Sequence, residues 1–196
     1  MRTVLQALRE LLEPRILQDG ALELRELDPG STCPTTKLDR SGQCVALRFE
    51  PWSYRTGLEI PTNRWLFPLF DVKRGDPPLC RSCDYIIFYA PADDTKQMFV
   101  FMCELKSGSP KGSLQQVRNG LLLARYILDV VKLHGSVHQW PNVNFRGIIF
   151  TGTNPSIRGG LRGSASPQYQ QDDVLKDLYT MVERSGGRHH LQTLCV

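Results

Sequence analysis

Apolar residues recur at spacings of three and four in three stretches of this chain, and alternate or run unbroken in four others. Near the start, Val4, Leu5, Leu8, Leu11, Leu12 and Ile16 form one stripe that ends at Gln18-Asp19-Gly20, which predicts a helix over 3–18. Pro14 lies inside that stripe and predicts a kink or an early stop. The longest stripe is Leu114, Val117, Leu121, Ala124, Leu128 and Val131, with Ser113 placed to cap its start and Gly135 its end. A last stripe in "DDVLKDLYTMVERSG" predicts an amphipathic helix opened by Asp172 and Asp173, where the helix dipole favours acids.

Strand patterns fill the space between. "CVALRFEPWSY" alternates from Cys44 and is limited by Pro51, whereas "CDYIIFYA" and "QMFVFMCELK", joined by the turn-forming "PADDTK", predict a hairpin. "FRGIIFTGT" reads as a further buried strand, and strand, helix, strand implies a right-handed parallel crossover and hence a mixed sheet. Residues 28–43 read as a loop, 51–80 as a short helix or an irregular packed segment, and 153–171 as a mobile Gly-, Ser- and Pro-rich loop. The expectation is a single α/β domain over residues 1–196.

Composition narrows the class. No apolar run approaches the roughly 20 residues that span a bilayer, and Glu10 and Glu13 interrupt the first stripe, unlike a signal peptide. Six irregularly spaced cysteines do not make a disulfide scaffold, so a reducing cytoplasm is expected, with no membrane partner. Residues 1–90 balance 12 basic against 12 acidic side chains, so the net charge of +4 comes from the second half, a bias that permits an anionic partner without demanding one.

The chemistry concentrates at the end of the hairpin. Residues two apart on a strand share a face, so Glu104 and Lys106 project together, and hairpin geometry brings Asp84 towards their level. Asp84, Glu104 and the Leu105 carbonyl are oxygen donors suited to Mg²⁺ or Mn²⁺. Lys106 would orient or deprotonate an attacking water and stabilise charge developing on a phosphoryl group.

That arrangement, Asp84, nineteen residues, then Glu104-Leu105-Lys106, on a hairpin followed by a long helix and a strand, resembles the PD-(D/E)xK nuclease superfamily over about residues 80–152. Cys83 stands where the family's name has proline. The resemblance implies a restriction-endonuclease-like three-layer core, with a mixed central sheet flanked by helices, and a Mg²⁺- or Mn²⁺-dependent nuclease acting on DNA, RNA not excluded. The wording of the hairpin, "CDYIIFY" then "FVFMCELKSG" then a helix starting "SLQQV", looks like a subset common among bacterial defence and repair proteins. The resemblance further implies a glutamine at the start of the helix, Gln116 ahead of Gln115, and a first-helix glutamate as an added ligand, Glu10 ahead of Glu13. Lys111, Arg118, Arg158 and Arg162 form the expected basic rim for nucleic-acid backbone. The alternative is a catalytically silent module of the same fold that binds nucleic acid or protein, as a homo-oligomer or a subunit of a larger defence or repair complex.

Two rivals come from other residues. Cys80 and Cys83 with Cys33 and Cys44 would make a four-thiolate zinc site, although Cys33 and Cys44 lack knuckle spacing. His189 and His190 read as tail residues, and "GTNPSIRGGLRG" lacks the Gly-Lys-Ser/Thr ending of a phosphate loop.

Overall fold

Thr3 opens helix α1 (Val4–Leu11) through a capping box: its hydroxyl accepts from the Gln6 N–H while the Gln6 side chain accepts from the Thr3 N–H. The helix ends at Leu12, before Pro14, and Pro14–Ile16 continue as a 3₁₀ turn, so the early stop expected from the proline is what forms. The computed structural model describes residues 2–18, 20–26, 30–49, 82–94, 96–108, 112–152 and 167–196. The expected segment 51–80 lies outside the described residues, as does most of the expected 153–171 loop.

Strands β1 (Leu22–Leu24), β2 (Thr36–Asp39), β3 (Gln43–Arg48), β4 (Tyr85–Ala90) and β5 (Gln97–Lys106) come next, followed by helix α2 (Ser113–His134). Then come β6 (Asn142–Thr151), β7 (Gln170–Gln171), β8 (Leu178–Arg184) and β9 (Gly187–His190). The six-stranded sheet has the order β3-β4-β5-β6-β8-β7. Strands β3, β4 and β5 are antiparallel neighbours, β5, β6 and β8 run parallel, and β7 is an antiparallel edge. The sheet is therefore mixed, and the hairpin, long helix and parallel return strand form where the patterns placed them.

One sheet face carries Ile86, Phe88, Val100 and Met102 against Val117, Leu121 and Ala124 of α2 and Val4, Leu5 and Leu8 of α1. Glycine permits the close approach at two points. A Cβ on Gly120 would lie 2.4 Å from the Cys83 Sγ, and one on Gly147 would lie 2.5 Å from the Val117 Cγ1. The other face carries Tyr85, Ile87, Phe101, Cys103, Leu105 and Phe150 against Leu22, Leu24, Leu38, Leu191 and Leu194. That second cover is a small sheet of order β1-β2-β9 plus the C-terminal 3₁₀ turn Leu191–Leu194.

Five expectations change. Among the described residues helices cover one face of the sheet and a β-layer covers the other, where helices were expected on both. The 28–43 loop contains β2, and the histidine tail contains β9. Ser113 is the first helical residue and Gly112 the N-cap, in the left-handed region with φ 81°. The last predicted helix is strand β8. Leu178 packs into the helix-side core and Met181 into the opposite one, so a spacing of three, read as one helical face, spans the two faces of a strand that buries one residue on each side.

Candidate active site at the open end of the hairpin

The β4–β5 ladder runs to the pair Tyr85↔Cys103, so one further step sets Asp84 opposite Glu104. Asp84 sits just before β4, and its side chain takes over the ladder's role: the Leu105 N–H donates to Asp84 Oδ2 at 2.9 Å. The N–H and C=O of an extended residue point to the same side, so the Leu105 carbonyl also opens towards Asp84. The Lys106 carbonyl points the other way and accepts from the Gly152 N–H at 2.9 Å, beside β6.

Glu104 and Lys106 project into the helix layer, on the face of Val100 and Met102. The Glu104 carboxylate is fully buried, with Lys106 Nζ 2.6 Å from its Oε1 and the lysine side chain 15% exposed. Removing either partner of such a pair leaves an uncompensated buried charge, which is far more costly than the pair itself.

Helix α2 reaches the same place. Gly120 lies over Met102, and stepping back four helical residues, about 6 Å, matches two strand residues, about 6.6 Å, which brings Gln116 to the level of Glu104. Gln116 is buried and donates to the Ser82 carbonyl at 3.3 Å, next to Asp84 in the chain. Gln115 instead donates to Asn119 at 3.1 Å, so Gln116 is the glutamine at the site.

Two thiols report the local charge. Burial, then the negative charge of Glu104, with further contributions from Cys103 and Asp84, push the Cys83 thiol well above its ordinary value. Burial likewise raises Cys33, with Glu26 and Asp84 adding to the effect and the Ser185 hydroxyl opposing it. Cys83 thus lies within range of the charge on both carboxylates, and Cys33 within range of that on Asp84. The second of these was not legible in sequence, because Cys33 and Asp84 are 51 positions apart and no periodicity links them.

Other expected residues lie elsewhere. Glu10 is exposed and ion-paired with Arg2, and Glu13 pairs with Arg15 at 3.0 Å. A Cβ on Gly135, at the far end of α2 from Gln116, would meet Ala7 of α1 at 2.9 Å. Helix α1 therefore packs away from the site, and Glu10 is not brought to Asp84. Arg118 does not stand free as a backbone contact: its guanidinium is held by Asp172 at 3.0 Å and by Asp173, tying α2 to the turn before β8. Lys111, Arg158 and Arg162 lie outside the described residues.

Asp84, Glu104 and the Leu105 carbonyl fit a hard divalent cation. They are oxygen donors only, and a divalent cation between two carboxylates would relieve their mutual repulsion. Among the described residues no group of three or more His, Cys, Asp and Glu gathers as a metal cage. The thiolate zinc reading fails on placement, because Cys83 lies in the helix-side core and Cys44 in the opposite one. Cys80 lies outside the described residues. His189 packs its ring 5.6 Å from Phe150.

No family model, curated protein or solved structure matches the chain. Among the described residues no helix is long and apolar enough to cross a membrane.

Proposed function

We propose that the protein is a metal-dependent nuclease that hydrolyses phosphodiester bonds, with DNA as the leading substrate, on a restriction-endonuclease-like core. The observation that carries the reading is the convergence of Asp84 with Glu104-Leu105-Lys106 at one end of the β4–β5 hairpin, under the start of α2. Asp84, Glu104 and the Leu105 carbonyl would hold Mg²⁺ or Mn²⁺, which when bound supplies charge neutralisation and an activated water. The Leu105 N–H fixes the Asp84 carboxylate through Oδ2. Lys106 pairs with the buried Glu104 carboxylate and carries the positive charge that a phosphoryl group needs. Gln116, fixed by Ser82, holds a polar group against the site from the helix side.

Cleavage of plasmid, single-stranded DNA and RNA with Mg²⁺ or Mn²⁺, by the parent and by Asp84→Asn and Lys106→Met, tests the reading. The parent should cut, and each variant should lose about 100-fold or more. Equal cleavage by parent and variants would remove the assignment. A second reading, a silent binding module of the same fold, is favoured by one observation: Glu104 is fully enclosed and already paired with Lys106. Stable binding of nucleic acid or a partner subunit, with no metal-stimulated cleavage, would establish it.

A further inference from the structure

A second feature lies at the other end of β3, away from Asp84. Arg9, in the last turn of α1, donates to the Cys44 carbonyl at 2.9 Å, and Arg40, in the turn before β3, donates to the Cys44 Sγ at 2.9 Å. Two guanidinium groups are thereby fixed on a single buried residue. They border an open cleft of about 350 Å³ that Gln6 and Gln43 also line.

Neither arginine is opposed by a carboxylate among the described residues. The acids nearby are committed elsewhere: Glu10 to Arg2, Glu13 to Arg15, Glu23 to Arg25 and Lys37, and Asp39 to Arg188. Like charges held at one point repel, and only an anion in the cleft reverses the sign of that interaction. Guanidinium forks match the oxygens of a phosphate bidentately, and the two glutamine amides add neutral donors beside them.

We infer that the Arg9–Arg40 cleft is a binding site for a phosphate group. The site stands apart from the proposed nuclease centre and needs no metal. The phosphate arrives either free or as part of a nucleic-acid backbone, and the two sources separate experimentally.

The test uses the full chain in EDTA, so that neither cleavage nor metal enters. Parent, Arg9→Gln/Arg40→Gln and the control Arg15→Gln are compared in two arms. The first follows Tm in inorganic phosphate against chloride at matched ionic strength. The second follows binding of a labelled single-stranded oligonucleotide across a salt series. For a backbone phosphate, the double variant should flatten the slope of log K against log salt by about 1.4, two contacts at about 0.7 each, while the control stays near the parent. For free phosphate, the parent and the control should gain Tm in the first arm and the double variant should not. A double variant that matches the parent in both arms overturns the proposal, whether or not the protein cuts DNA.

Discussion

Helix α2 brings Gln116 over Glu104 only because Gly120 lets it approach the sheet, and that contact can be tested by adding one methyl group. In Gly120→Ala the new Cβ would stand 2.4 Å from the Cys83 Sγ, 3.2 Å from the Met102 Cγ and 3.5 Å from the Ser82 Oγ. Met102 is unbranched and can adjust. Cys83 cannot, since it is 1% exposed and its thiol donates to the Tyr85 carbonyl at 3.3 Å. Alanine in a helix interior gains about 1 kcal/mol over glycine, whereas overpacking a dense core costs about 1–3 kcal/mol. The single variant should therefore lose up to about 2 kcal/mol. Cys83→Ala removes the clashing sulfur and itself costs about 1 kcal/mol. In the double variant the helix gain survives without the clash, so the two changes should couple favourably by about 1–3 kcal/mol in urea unfolding at constant m. Additivity within about 0.5 kcal/mol would refute this seating of α2.

Three further outcomes are expected. Asp172→Asn should cost about 1–3 kcal/mol, because the carboxylate accepts from Val174 at 3.0 Å, Leu175 at 2.7 Å and Arg118 at 3.0 Å. Burial pushes the Asp172 carboxyl up, but the Leu175 and Val174 N–H groups and Arg118 together hold it below its ordinary value. The stability it contributes is therefore present above about pH 4 and lost as pH falls through the depressed folded value, and the variant's stability should fall less over that range. Ser113 is wholly buried with no hydrogen-bond partner for its hydroxyl among the described residues, so Ser113→Ala should leave Tm unchanged or raise it, corresponding to a gain of up to about 1 kcal/mol; a clear loss would show that the hydroxyl is partnered. Burial raises the thiols of Cys83 and Cys103, and pushes Cys195 up to about 12, so iodoacetamide at mildly alkaline pH should modify them only as the protein unfolds.

What was legible in the sequence was local. The hairpin and α2 could be read because their apolar periods are long and end in turn formers or glycine. Asp84 could be set against Glu104 because a short turn fixes register. The rest depended on distant partners. Strand β8 imitated a helix because it buries one residue on each face, and Asp172, expected to open that helix, does accept the N–H groups of Val174 and Leu175 before the chain extends into the sheet. Arg118 looked free only because its partners lie 54 and 55 positions away. The short strands β1, β2 and β9 gain their order from covering Leu105 and Phe150, which no window of a few residues reveals.

The most direct measurement is a crystal of the protein soaked in Mn²⁺ and examined for anomalous scattering. We expect one peak between the Asp84 and Glu104 carboxylates, within reach of the Leu105 carbonyl, and its loss in Asp84→Asn. A fully soaked crystal with no peak there, and with Glu104 still closed on Lys106, would contradict the metal-dependent nuclease.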